Sequence, residues 1–236
     1  KTALMPDAKL VAKAVDAGGN VSRPGNGDVN VDMPVTRVPV ANDGFIGAAD
    51  LAAGIEVVVS VSSSARVGDV VATVLNRPDG SQINYSQTLN AAQILAGSFT
   101  QLIPPQDLVQ QGQHRAAVTL TTQVGTSPPS IKSFVVDTLP PPAPQVATSN
   151  GQFINGTAEP GTTVTLKDGQ GNLIGTVGPV GADGNWTLIP KQILPDGTVL
   201  NATSADAAGN TSAVGQGAVA IGRLLISGAL DNVGQV

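Results

Sequence analysis

Residues 161–177, Gly161-Thr162-Thr163-Val164-Thr165-Leu166-Lys167-Asp168-Gly169-Gln170-Gly171-Asn172-Leu173-Ile174-Gly175-Thr176-Val177, spell one β-hairpin. Residues 161–166 alternate in character, as a half-buried strand must when successive side chains point to opposite faces. Residues 167–172 collect Asp, Gly and Asn, which accept turn amides and tolerate left-handed backbone. Residues 173–177 return as the partner strand. Outward from this hairpin the same pattern continues: Asp183-Gly184-Asn185 turns the chain again, and residues 186–189 open a strand led by Trp186. Upstream, residues 56–61, 69–75, 116–122 and 131–136 are further strands, with a turn at Arg77-Pro78-Asp79-Gly80. Residues 47–53, where Ala and Leu cluster, suit one short helical turn, and residues 84–113 carry few turn signals. About seven short strands per ~100 residues, separated by turns, is the pattern of a β-sandwich.

Composition agrees. A chain of 236 residues has room for about two domains of roughly 100 residues each. Apolar residues make up 41% and aromatic residues only 3%, so small side chains fill the cores, while 28 Gly and 17 Pro supply the reversals. Cysteine is absent, which excludes thiol catalysis, cysteine-ligated zinc and iron–sulfur clusters and suits a bacterial exported protein. The net charge of -5 repels phosphate backbones, so nucleic acid is not an expected partner; it suits a hard cation such as calcium. No apolar run approaches the ~18 residues of a membrane span; the longest, at 218–230, is interrupted by Arg223 and several Gly. Lys1 leads into Pro6-Asp7 rather than into an apolar signal-peptide core, and the chain is expected to be an internal piece of a longer one.

Internal repetition marks the domains. Leu4-Met5-Pro6-Asp7, a strand at 10–15 and Asp16-Ala17-Gly18-Gly19-Asn20 recur as Leu194-Pro195-Asp196-Gly197, a strand at 199–205 and Asp206-Ala207-Ala208-Gly209-Asn210. Val31-Asp32-Met33-Pro34 and Val136-Asp137-Thr138-Leu139-Pro140 mark two joints, and Pro140-Pro141-Pro142 with Pro144 makes a connector of fixed φ. The expected division is 1–30 as the tail of a preceding repeat plus linker, 31–137 and 138–222 as sandwich domains, and 223–236 as the start of a following repeat.

Val136-Asp137-Thr138 with Pro142-Ala143-Pro144, Asn155-Gly156-Thr157-Ala158-Glu159-Pro160-Gly161, Asp183-Gly184-Asn185-Trp186 and Asp206-Ala207-Ala208-Gly209-Asn210 resemble the bacterial Ig-like repeats of biofilm-associated proteins and giant type I-secreted adhesins. Residues 42–50 resemble the opening of a sister repeat type, and residues 226–233 the start of another. Residues 138–222 match best and residues 60–130 loosely. The resemblance implies an all-β fold of tandem Ig-like β-sandwich domains in an elongated array, an extracellular place on the bacterial surface or in biofilm matrix, and calcium at the joints.

Loops gathering at one pole of such a sandwich would bring together Asp137, Glu159, Asp183, Asp206 and Asn210, with Asp137 and Asp206 leading. Asp32 and Asp28, with Asp43 and Asp16, form the equivalent set one joint earlier. Against this stands the simpler reading that Asp and Asn in such hairpins only accept the turn's own amides. No DxDxDG calcium loop is present. His114, the one histidine, is expected at an exposed strand edge, and Trp186 in a core, with sugar stacking as its alternative role. No nucleophile motif, glycosidase carboxylate pair or phosphate loop appears, so no enzyme is expected. Asn155, Asn185 and Asn201 head chance Asn-x-Thr sequons. The leading expectation is a monomeric, non-catalytic spacer whose partners are neighbouring repeats of its own chain. The alternative is a binding module for a glycan, a host surface or itself, carried by the looser first domain.

Overall fold

The computed structural model describes residues 9–13, 15, 25–28, 31–41, 43–52 and 54–222. Two compact units divide the chain, Lys1–Leu139 and Pro140–Val236. The segments expected to hold a preceding tail (1–30) and a following repeat (223–236) lie largely or wholly outside the described residues.

Unit 1 begins with β1 (Lys9–Ala12), paired antiparallel to β2 (Gly25–Asp28). Then follow β3 (Val35–Arg37), β4 (Phe45–Ile46), helix α1 (Ala48–Leu51), β5 (Ile55–Ser60), β6 (Val70–Asn76), β7 (Gln82–Thr88), helix α2 (Ala91–Ala96), β8 (Ser98–Ile103), β9 (Gly112–Thr122), β10 (Gly125–Thr126) and β11 (Ser130–Val136). One sheet runs β3-β5-β8; the other runs β4-β11-β9-β6-β7, with β10 folded back on β9. Every pairing is antiparallel except β4 with β11. The alternation that marks the strands also builds the core: Val57 and Val59 of β5 and Ile103 of β8 pack with Val71 and Leu75 of β6, Val118 and Leu120 of β9, and Phe134 and Val136 of β11. Removing one such side chain from water is worth about 1.5–3 kcal/mol.

Unit 2 holds β12 (Gln145–Val146), β13 (Ile154–Thr157), β14 (Thr163–Asp168), β15 (Leu173–Val177), β16 (Asn185–Leu188), β17 (Val199–Ala205) and β18 (Gly215–Ala218). Its sheets run β12-β13-β16 and β15-β14-β17-β18. In connection order these match the β3-β5-β8 and β7-β6-β9-β11 sheets of unit 1, so both units are Ig-like sandwiches with the same strand order. Trp186 is 3% exposed and lies in the core with Ile154, Val164, Leu166, Leu188 and Leu200, as its position after the turn predicts. Gly156 is required beneath it: a Cβ there would meet the Gln145 carbonyl and the indole ring.

Two parts of unit 1 depart from the sequence expectation. Residues 84–113, poor in turn signals, hold the rest of β7, helix α2, strand β8, a 3-10 turn at Pro105–Leu108 and the start of β9. Asn90 Oδ1 accepts the Gln93 amide at 3.0 Å and Gln93 Oε1 accepts the Asn90 amide at 2.9 Å, a reciprocal cap that starts α2. Gly97, at φ +66°, ends the helix in a left-handed turn. His114 is not an exposed edge residue. It is fully buried in β9, which pairs with β6 on one side and β11 on the other. Its position, in phase with Ala116, Val118 and Leu120, sends the ring inward.

Candidate functional site: the turn carboxylates

The Asp-rich turns of unit 2 share one chemistry. Asp168 Oδ1 accepts the amides of Gln170 (2.9 Å) and Asn172 (2.8 Å), and its Oδ2 accepts Asn172 Nδ2 at 2.8 Å. Asp183 Oδ1 accepts the Asn185 amide at 3.2 Å, and its Oδ2 accepts Asn185 Nδ2 at 2.9 Å. Asp206 Oδ1 and Oδ2 accept the Asn210 amide and Nδ2, each at 2.9 Å. In each turn one carboxylate is clasped by the backbone and side chain of an Asn two or four residues on. Hydrogen bonding to the charged form favours it, so the Asn172 and Asn185 side chains hold Asp168 and Asp183 below the ordinary carboxylate value.

Strand register shows where these turns lie. Thr157 at the end of β13 faces Asn185 at the start of β16, and Thr163 at the start of β14 faces Ala205 at the end of β17. The turns bearing Glu159, Asp183 and Asp206 therefore share one end of unit 2, as the sandwich reading predicts. The Ala158 amide donates to Gly184 O at 2.9 Å, tying two of them together. Asp206 and Asn210 are joined directly. Asp183 bonds its own Asn185 instead, and Glu159 is exposed, its main-chain oxygen accepting the Thr162 amide and hydroxyl.

Calcium needs six to eight oxygens. Among the described residues no three His, Cys, Asp or Glu form a group able to hold a metal. With the oxygens of Asp183 and Asp206 already accepting amide protons, the residues within unit 2 do not fit such a shell. In unit 1, Asp137 directly follows β11. Its amide donates to Ile46 O at 3.0 Å and its Oδ1 accepts the Leu139 amide at 3.2 Å. Asp32 Oδ2 accepts the Ser64 hydroxyl at 3.0 Å, and Asp43 Oδ1 the Phe45 amide at 2.9 Å. Asp28 lies in β2, and Asp16 lies outside the described residues.

Unit 1 also holds polar groups that sequence reasoning did not single out. Asp107 accepts the Tyr85 hydroxyl and faces Arg77 Nη2 at 3.6 Å, while Arg77 Nε donates to Asp107 O at 3.1 Å. Burial, and then Asp107, push the Tyr85 hydroxyl above its ordinary value. Ser81, then Gln110, hold Asp79 at about 2. Buried Asp69 accepts the Arg66 amide at 2.8 Å, and both residues line a hollow of about 270 Å³ with Val31, Ser64 and Thr122. His114 stacks on Phe134, with ring centroids 5.7 Å apart and planes 7° from parallel. Its Nδ1 meets Gly112 O at 3.1 Å, and its Nε2 is buried with no partner among the described residues. That environment disfavours the imidazolium, so burial lowers the His114 pKa below 6.5. The long-range pairs among these were not legible, because Tyr85 and Arg77 stand 22 and 30 residues from Asp107, and Asp79 stands 31 from Gln110.

Residues 140–220 match the family model of the bacterial Ig domain, and the resemblance seen in the sequence of this second unit is borne out. No curated protein matches the chain. Among solved structures, the chain is similar to the BSP domain of a biofilm-associated protein (21% identity over 79% of this chain and 29% of that one, TM-score 0.32). It is also similar to a calcium-stabilized adhesin with which an Antarctic bacterium binds ice (22% identity, 90% and 56%, TM-score 0.41). A further likeness is to the fibronectin(III)-like modules of Clostridium thermocellum CbhA (16% identity, 80% and 94%, TM-score 0.44). The chain spans well under two thirds of the first two of these.

Proposed function

We propose that this chain is a stretch of non-catalytic extender repeats from a bacterial surface adhesin, placed outside the cell on its surface or in biofilm matrix. The observation that carries the reading is that one strand order occurs in both units, the second of which matches the bacterial Ig domain. A repeated sandwich whose turn carboxylates are engaged by the amides of their own turns suits length rather than turnover. Residues 140–144, with four prolines, restrict the backbone between the units. The partners in this reading are neighbouring repeats of the same chain. Calcium as a stiffening ion is a separate part of the reading, which the titration below tests; of the residues put forward for it, Asp137, Asp206, Glu159, Asp183, Asn210 and Asp32, those of unit 2 make no shell of their own.

Small-angle scattering of the chain with calcium and with chelator, together with calorimetric titration, tests the calcium part. A longer, stiffer particle with calcium, lost in Asp137→Ala, supports it; no heat and no change in shape remove it. A glycan array and sedimentation analysis test the extender part. A blank array and a monomer support a spacer, whereas saturable glycan binding or a concentration-dependent dimer replaces it with a binding module.

A further inference from the structure

One turn is built twice in this chain with the same main-chain bonds. In unit 1 the Asp69 amide donates to Arg66 O, the Gly68 amide to Leu89 O and the Leu89 amide to Asp69 O. In unit 2 the Thr162 amide donates to Glu159 O, the Gly161 amide to Val180 O and the Val180 amide to Thr162 O. The first turn runs straight into β6 and the second into β14, so Asp69 stands where unit 2 has Thr162. Both are buried, at 6% and 1% exposure. Thr162 Oγ1 closes its turn by donating to Glu159 O at 2.7 Å. A neutral hydroxyl suffices there, and the fold has no need of a charge at this position.

Asp69 nevertheless brings one, without a cation to meet it. Its Oδ2 accepts the Arg66 amide at 2.8 Å. Its Oδ1 accepts no hydrogen bond among the described residues and is not sealed from solvent. The Arg66 guanidinium is spent on main chain, its Nη1 donating to Ser64 O at 2.8 Å and Ala65 O at 3.1 Å. The one ion pair among the described residues joins Arg77 to Asp107. A carboxylate buried without a counter-charge costs stability, and such residues are seldom buried unpaired. The oxygen left over belongs to a residue that lines the hollow of about 270 Å³. Val31 and Val124 give that hollow an apolar wall, and Thr122 and Gln123 add side-chain oxygens. We propose that the hollow binds the primary ammonium group of a lysine side chain from a partner protein, with Asp69 Oδ1 as its counter-charge and the two valines against its aliphatic stem. A guanidinium fits less well, because its planar fork seeks both carboxylate oxygens and Oδ2 is already taken. An ammonium is a compact point charge with three rotatable donors, which one carboxylate oxygen and neighbouring neutral oxygens can satisfy. Calcium needs six to eight oxygens, and the valines occupy wall that such a shell would require. The inference goes beyond the extender reading and rests on unit 1 alone.

Titration of the isotope-labelled whole chain, followed by amide nuclear magnetic resonance, tests the site. The probe is Nα-acetyl-lysine N-methylamide, which carries no charge but its ammonium. Saturable shifts are expected at Arg66, Asp69 and residues 122–124, with none in unit 2. The norleucine analogue has a closely similar stem and no ammonium, and should leave these amides unmoved. Asp69→Thr copies the turn of unit 2. It should weaken binding of the lysine amide roughly ten- to a hundredfold, the loss of one charge-assisted hydrogen bond, while the unit 1 denaturation midpoint holds or rises. Cadaverine, a free diamine, is the second probe: lysine amide binding at least as tightly supports a protein side chain as the source, and cadaverine binding much more tightly overturns that assignment. Equal shifts with the norleucine amide, undiminished binding by Asp69→Thr, or a marked fall in its midpoint overturns the site. Displacement of the lysine amide by calcium chloride also overturns it, by giving the carboxylate to a metal. These failures leave the extender reading standing, because the glycan array and sedimentation analysis that test it use neither probe.

Discussion

Between pH 7 and pH 5, acid should loosen unit 1 through His114. The imidazole is fully buried against Phe134, its Nδ1 is engaged by Gly112 O, and its Nε2 faces the core without a partner. Protonation would place a charged N–H where nothing accepts it. The nearby charges oppose each other, Arg77 lowering and Asp79 raising the pKa, and burial outweighs both. Because the folded pKa lies below the unfolded value near 6.5, the unfolded chain binds more protons between those two values. Stability is therefore intact above pH 6.5 and falls as pH drops from 6.5 to the folded pKa, by about 1.4 kcal/mol per pH unit for one proton. The chain contains one tyrosine and one tryptophan, Tyr85 in unit 1 and Trp186 in unit 2, so urea denaturation followed by the emission of each separates the units. Between pH 7 and pH 5 the Tyr85 midpoint should fall while the Trp186 midpoint holds. In His114→Leu, whatever its starting stability, the pH slope of the Tyr85 midpoint should vanish over that range. A flat wild-type profile, or the same slope in His114→Leu, would refute the argument.

Three further outcomes follow from the contacts described. Gly156→Ala drives a methyl into the Gln145 carbonyl and the Trp186 ring, so unit 2, followed by Trp186, should lose about 3 kcal/mol of stability, the upper range for overpacking; an unchanged midpoint would mean the sheet shifts freely there. Asp206→Ala strips both acceptors from Asn210, which is 6% exposed, and should cost unit 2 about 1–3 kcal/mol, equally with calcium and with chelator; a loss seen only with calcium would show that the carboxylate binds the ion. Asp79, held at about 2, keeps its charge below the usual carboxylate range, so its contribution is present above pH 3.8 and declines as pH falls toward 2. Asp79→Asn should flatten that part of the acid profile of unit 1, and a profile identical to wild type would exclude Asp79 as its source.

Much of the fold was legible because it rests on local rules. The alternation at 163–168 and 199–205, and the Asp-Gly-Asn turns, state strand and reversal with no need of the rest of the chain. The same local chemistry was half of the answer for the carboxylates. Asp168, Asp183 and Asp206 each sit within a few residues of the Asn that clasps them, so the turn-capping reading was available from spacing alone. The shared end of unit 2 was also foreseeable, since turns after alternate strands of a sandwich fall at the same pole. What could not be read was the number of oxygens left to gather there, which depends on each side chain's rotamer and partner.

Sequence by itself determined that this is an all-β chain of repeated small-cored sandwiches, because periodicity, turn residues and repetition are carried by neighbours along the chain. Tertiary structure alone decided the partners that meet across it: His114 turned inward between β6 and β11, Tyr85 and Arg77 on Asp107, and β4 laid parallel to β11. Strand order is chosen by which faces bury the most apolar surface together, a sum over residues tens of positions apart that no short window contains.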